Sequence, residues 1–261
     1  GNAFLASKKE DIRLYQYWYS KATIDAIVAE CLDHASRVAF LSTPSIYFSL
    51  CEGEAKKNGR DVKKEMVADS KEYVEAEKRQ KRAQAIFKAS RLFDYDKSFD
   101  SAEGYVFYNY KEPEKIPEEH WHKFDFVVID PPSVRDDVLA LYARAARILL
   151  PKAEQTNTCQ LCWFGRQKPK PIGVKPPSSK ILISSLAGDS HSKLMHSLFG
   201  AKPCVFLPTI PNLIYQYHLY TNYDSVRLSQ PNPDQPEPDP KKTSARSRLA
   251  DFGVKKINSR S

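Results

Sequence analysis

The run Phe124-Asp125-Phe126-Val127-Val128-Ile129-Asp130-Pro131-Pro132-Ser133 is an apolar stretch closed by an acid and two prolines. Continuous apolar residues without polar alternation mark a strand covered on both faces, as in an inner strand of a parallel sheet. Pro131 and Pro132 have no N–H to give a ladder, so the strand must stop there and open into a stiff loop. In open α/β sheets, ligands bind at such carboxyl ends. The prolines leave the backbone carbonyls of Asp130 and Pro131 as outward acceptors beside the Asp130 carboxylate. An amine donating two hydrogen bonds there keeps its lone pair free, which methyl transfer to an amine requires. An ordinary strand-to-turn stop has the same three residues, so the triplet needs its context.

The flanking chain alternates short strands with helices. Ser20 precedes a helix with apolar residues at 24, 27, 28, 31 and 32, and reads as its N-cap. Val38 to Leu41 reads as a strand entering Ser42-Thr43-Pro44-Ser45, and Ile46 to Leu50 restarts a helix. Residues 54–84 turn charged with a thin apolar stripe and read as an inserted, mostly solvated helix. Strands are expected at Ile86 to Phe93, Tyr105 to Tyr108 and Ile181 to Ser184, with a closing pair at Val205 to Leu207 and Tyr215 to Tyr220. Helices are expected from Val134 to Leu149 and from Ser190 to Leu198, ending at Gly200. The result is an α/β domain built on a mostly parallel sheet with helices on both faces.

The 261 residues suffice for one full α/β core with chain to spare. No stretch approaches a membrane span or a secretory signal, so a soluble cytoplasmic protein is expected. Five scattered cysteines form no disulfide framework, and reduced thiols are expected. The net charge of +8 is unevenly placed. Residues 152–180 carry +5 and residues 227–261 carry +4, leaving about −1 for the rest. The Pro- and Gly-containing insertion 152–179 reads as a loop and 227–261 as a disordered tail. Their basic charge allows weak nucleic-acid or ribosome contact, and solubilising linkers account for it as well. Cys159 and Cys162 in the insertion have metal-ligand spacing but no second pair, so no metal is expected. Residues 1–13 read as a leader, with Gly1 marking a processed, tagged or truncated start, and residues 14–226 as the domain.

In order, spacing and wording, several segments across residues 12–226 resemble the eukaryotic lysine methyltransferases of translation elongation factor 1-alpha. They include Tyr15-Gln16-Tyr17-Trp18-Tyr19-Ser20, Arg37 to Tyr47, Leu92 to Phe99, the Asp-Pro-Pro strand, Lys180 to Ser184 and Tyr215 to Ser225. That family was once labelled N6-adenine DNA methyltransferases for its Asp-Pro-Pro-aromatic motif. The resemblance implies a Rossmann-like class I methyltransferase with a seven-stranded sheet, S-adenosylmethionine as cofactor, and a monomer acting on elongation factor 1-alpha. Methylation of adenine N6 in nucleic acid is the alternative, and a catalytically impaired binding protein is the other.

On that reading Ser42, Thr43, Pro44 and Ser45 replace the common G-x-G turn at the cofactor, with hydroxyls available to it. Asp94 would accept from the ribose hydroxyls, with Asp96 as runner-up, and Asn109 from the adenine amine where the family has Asp. Asp130, Pro131 and Pro132 would hold the acceptor nitrogen and Asp130 would also border the cofactor. Ser133 is the departure: the family has Tyr or Phe there, a ring worth roughly 0.5–2 kcal/mol to a bound ammonium. Three explanations stay open: another aromatic, Trp18, Tyr19 or Tyr215, fills the space, the substrate differs, or catalysis has been lost.

Overall fold

The computed structural model describes residues 2–52, 71–152, 179–213 and 215–235. Seven strands, β1 Val38–Leu41, β2 Arg91–Asp94, β3 Tyr105–Phe107, β4 Phe126–Ile129, β5 Lys180–Leu186, β6 Lys202–Pro203 and β7 Tyr217–Thr221, form one sheet. Their order is β3-β2-β1-β4-β5-β7-β6. β1, β2, β3, β4 and β5 pair in parallel, and β7 runs antiparallel between β5 and β6. β1 and β4 are central, and every residue of both is buried. Their apolar composition follows from that position, because helices cover both faces.

α2 (Lys21–His34), α3 (Pro44–Glu52) and α4 (Lys71–Ala89) accompany one face; α5 (Asp136–Leu149) and α6 (Asp189–Phe199) accompany the other. The first core layer holds Phe40, Phe126, Val128, Leu182 and Leu219, and the second holds Leu41, Val127, Ile129, Ile183 and Tyr220. Alternate residues of each strand therefore enter opposite layers. Each such side chain, removed from water, stabilises the fold by about 1.5–3 kcal/mol. Ser20 caps α2 as expected, its Oγ accepting from the Thr23 N–H. Gly200, in the left-handed region at φ 66°, ends α6. No helix among the described residues is long and apolar enough to cross a membrane.

Several boundaries differ from expectation for local reasons. Ile86 belongs to α4, not to β2: Ala83 and Ile86 continue a buried helical stripe, and the Ser90 N–H and Oγ both donate to Ile86 O, closing the helix before Arg91. The expected insertion helix thus docks at its end, with Arg82 donating to Leu32 O and Ala35 O at the end of α2. Val205 to Leu207 is not a strand. β6 is two residues long, its Lys202 opposite Thr221, and Val205 is exposed. Pro203 and Pro208 restrict what an edge strand can pair. α5 starts at Asp136, two residues later than expected, leaving Pro132 to Arg135 as loop.

Both ends of the expected domain pack further than their composition indicated. In the expected leader, α1 (Ala3–Ser7) buries Phe4 against Trp18, Phe48 and Phe99, with ring centroids 5.0, 5.6 and 6.4 Å away. Beyond residue 226, Arg227 pairs with Glu30 at 2.6 Å and Asp33 at 2.7 Å, Leu228 is buried, and Asn232 donates to Leu207 O. The rest of the tail, most of the 152–179 insertion with Cys159 and Cys162, and residues 53–70 lie outside the described residues.

Candidate active site at the carboxyl ends of the strands

The chain leaves β1 through Ser42, whose φ of 57° lies in the left-handed region that normally favours glycine. Two contacts hold it there. Its N–H donates to Phe93 O at 2.9 Å, and its Oγ lies 2.7 Å from the Tyr142 hydroxyl. Serine therefore performs the sharp turn of a glycine loop, with side-chain bonding offsetting a backbone cost of about 1–2 kcal/mol. Pro44 follows as the first residue of α3, where its missing N–H costs nothing. Thr43 Oγ1 is buried in this turn with no partner among the described residues. A buried hydroxyl left open costs about 1–3 kcal/mol, so it fits a polar ligand group at this point. Ser45 is also buried, and its carbonyl accepts from Ser49.

β2 ends in Asp94, buried, with one carboxylate oxygen accepting from the Asp96 N–H at 2.8 Å. Burial pushes its carboxyl up to about 7 against the pull of nearby backbone N–H groups. Asp96 is committed elsewhere, to Gln16 Nε2 and the Ser98 N–H, both at 2.8 Å. Of the two acids, Asp94 is the one held by backbone N–H groups alone, while Asp96 also bonds a side chain. Asn109, just past β3, accepts from the Lys111 N–H and donates to Glu112, so its side chain is engaged in its own turn. Beside it Tyr108 is buried with no partner for its hydroxyl among the described residues.

β4 ends in Asp130, tied to β1 by its N–H donating to Leu41 O at 3.1 Å. Burial pushes the Asp130 carboxyl up to about 7, while the Tyr19 and Ser184 hydroxyls beside it act the other way. The Tyr19 phenol is fully enclosed and driven well above its ordinary range by burial and by the Asp130 charge. Ser184 Oγ, buried within β5, has no hydrogen bond of good geometry among the described residues. A polar corner results, capped by Pro131, with Pro132 and Ser133 half-buried at its rim.

Of the expected aromatics, only Tyr19 reaches this corner. Trp18 is buried as a brace, its indole N–H donating to Lys8 O and its backbone N–H to Glu10. Tyr215 is exposed; two residues on, half-buried Tyr217 feels the Asp130 charge. Ser184, Tyr217, Tyr108 and Tyr142 escaped the sequence reading. The serines at 184 and 185, in a strand that after Lys180 is otherwise made of Ile and Leu, were the signal available for the first.

Seven strands in this order, the last inserted antiparallel beside the fifth, form the Rossmann-like sheet of class I methyltransferases, whose methyl donor is S-adenosylmethionine. The profile of the family described as "Probable N6-adenine methyltransferase" matches residues 10–225, and the chain belongs to that family. Among curated proteins it is 28% identical to EEF1A lysine methyltransferase 1 of Mus musculus, over 83% of this chain and 77% of that protein. It is 25% identical to EEF1A lysine methyltransferase 1 of Homo sapiens over the same shares. With protein-lysine N-methyltransferase EFM5 of Saccharomyces cerevisiae it shares 24% identity, over 83% of this chain and 73% of the relative.

Proposed function

We propose that this chain transfers a methyl group from S-adenosylmethionine to a lysine side chain of translation elongation factor 1-alpha. The observation that carries this reading is Asp130, an acid in a water-poor corner at the end of β4, followed by two prolines and joined by Tyr19. The names of the relatives support lysine as the acceptor. The near-neutral charge outside the insertion and tail argues against nucleic acid, since a duplex or strand needs a basic groove.

Ser42, Thr43, Pro44 and Ser45 would hold the amino-acid end of the cofactor, with Thr43 Oγ1 as the hydroxyl still open to it. Asp94 would take the ribose hydroxyls with its carboxylate. Asn109 would meet the adenine edge with whatever accepting capacity its own turn leaves. The cofactor supplies an activated methyl group on a sulfonium, so no protein nucleophile is required.

The work left to the protein is positioning and removal of a proton. A lysine arrives protonated, and Asp130 with the Pro131 carbonyl would orient its nitrogen toward the methyl group. A carboxyl near pH 7 is also matched to accepting the ammonium proton, directly or through water. Calorimetry with S-adenosylhomocysteine, followed by transfer of labelled methyl to elongation factor 1-alpha, tests the reading. Binding is expected, and Asp130→Asn should lower turnover by at least about 100-fold while changing cofactor affinity little. Label in oligonucleotides but not in the protein would transfer the assignment to adenine. Cofactor binding with no transfer to either would mark a site impaired at Ser133.

A further inference from the structure

Tyr142 lies on α5, the helix that follows the Asp-Pro-Pro loop, and is buried in the second core layer. Its hydroxyl lies 2.7 Å from Ser42 Oγ in the turn after β1. Its ring meets Tyr108, just past β3, edge-on with centroids 5.9 Å apart, and stacks on Tyr110 at the same separation. Tyr108 in turn meets Phe93 of β2 edge-on at 6.5 Å, and Phe93 O accepts from the Ser42 N–H at 2.9 Å. These contacts close a circuit that runs from the β1 turn through β2, the loop after β3 and α5 back to the turn.

The ring and the hydroxyl of Tyr142 serve different parts of the site. The ring is held by residues 108 and 110, which flank Asn109, so packing fixes the direction in which the hydroxyl points. The hydroxyl meets Ser42, whose φ of 57° a residue with a Cβ holds only against a backbone cost. Without that bond the turn gains by relaxing, and Thr43, the next residue, moves with it. Thr43 Oγ1 is the buried hydroxyl with no partner among the described residues.

We propose that Tyr142 is a positioning residue for the amino-acid end of S-adenosylmethionine: its hydroxyl holds Ser42 in the left-handed turn that presents Thr43 to the cofactor's ammonium and carboxylate. A threonine hydroxyl suits both groups, since it accepts from the one and donates to the other. This rests on the reading that residues 42–45 meet that end of the cofactor, and not on the identity of the methyl acceptor. It makes the Tyr142 hydroxyl selective among ligands. A ligand with the amino-acid part depends on it, and a ligand that ends at the sulfur does not.

The probes are S-adenosylhomocysteine and methylthioadenosine, which keeps the adenine, ribose and sulfur but lacks the amino and carboxylate groups. Each is titrated into the full chain by calorimetry. Tyr142→Phe keeps the ring between Tyr108 and Tyr110 and removes only the hydroxyl. It should weaken S-adenosylhomocysteine about fivefold to thirtyfold and methylthioadenosine by less than about twofold. Adding Ser42→Gly to Tyr142→Phe should restore most of the loss, since glycine takes the left-handed turn without a side-chain bond. In the cofactor-free protein, amide exchange across residues 42–46 should be faster in Tyr142→Phe than in wild type, with β4 unchanged. Unaltered S-adenosylhomocysteine binding in Tyr142→Phe, equal loss of both ligands, or no recovery in the double variant would overturn the proposal. A wild type that binds neither ligand, with the exchange difference intact, would remove the cofactor reading of the turn and leave Tyr142 as the brace of Ser42.

Discussion

Asp94 is buried and Asp130 half-buried, at the ends of the two strands that flank β1, and both carboxyls are pushed up to about 7 mainly by loss of water. Asp94 also feels the Asp96 charge, whereas the Tyr19 and Ser184 hydroxyls beside Asp130 act against its burial. Their ordinary value in an unfolded chain is near 3.8. The folded state therefore binds more protons than the unfolded one between about pH 4 and 7, and stability contributed by the protonated form is lost as pH rises through that window. The cofactor-free protein is expected to have a higher Tm at pH 5.5 than at pH 8. Asp94→Asn and Asp130→Asn should each raise the pH 8 stability by about 1–2 kcal/mol and flatten the profile, measured by denaturant titration at the two values. A wild-type profile that rises from pH 5.5 to 8, unaltered by both variants, would contradict this. Asp130 was visible in the sequence because a strand stopped by two prolines is a local signal. Its partners Ser184 and Tyr217 were not, because each sits more than fifty residues away and meets it only through strand register.

Residues 16–20, which carry Tyr19 to the Asp130 corner, form the strap on which the site depends most. It has no regular structure between residues 16 and 20, and is held by α1 at one end and the cap of α2 at the other. Phe4 locks it by packing on Trp18 and Phe48. Phe4→Ala should cost about 2–4 kcal/mol in the local opening of residues 3–20, while the central strands keep their protection. Amide exchange by mass spectrometry would show this as faster uptake in the strap than in β4. Uniform acceleration across both would mean that the strap unfolds only with the whole domain. Amphipathic helices and apolar strands could be placed from periodicity, since repeating burial writes itself into the chain. A strap cannot, since its few contacts are tertiary and its composition is that of a loop.

For the whole molecule, the sheet is closed on its amino-terminal side by chain expected to be tail. Glu30 on α2 is buried and receives Tyr223, Ser225 and Arg227, while Leu228 joins the core. A chain ending at 226 leaves Glu30 without Arg227, its paired cation, and removes Leu228, so it should lose about 3–5 kcal/mol of stability. A chain ending at 235 keeps Arg227, Leu228 and Asn232, and should be more stable than the 226 chain by that amount. Paired thermal melts decide it, and equal Tm values for the 226 and 235 chains would show that this packing contributes nothing.

The class of fold, the central strands, the cap at Ser20 and the Asp-Pro-Pro end of β4 followed from the sequence alone. Each rests on interactions between residues close in the chain: buried periodicity, a side chain capping its own helix, prolines that cannot pair. Tertiary structure alone decided that Phe4 and Leu228 belong to the core, and that Tyr217 rather than exposed Tyr215 shares the sheet face of Asp130. In each case the deciding contact spans a long stretch of chain. A one- or two-residue change in register there alters which face a side chain occupies without altering the local pattern.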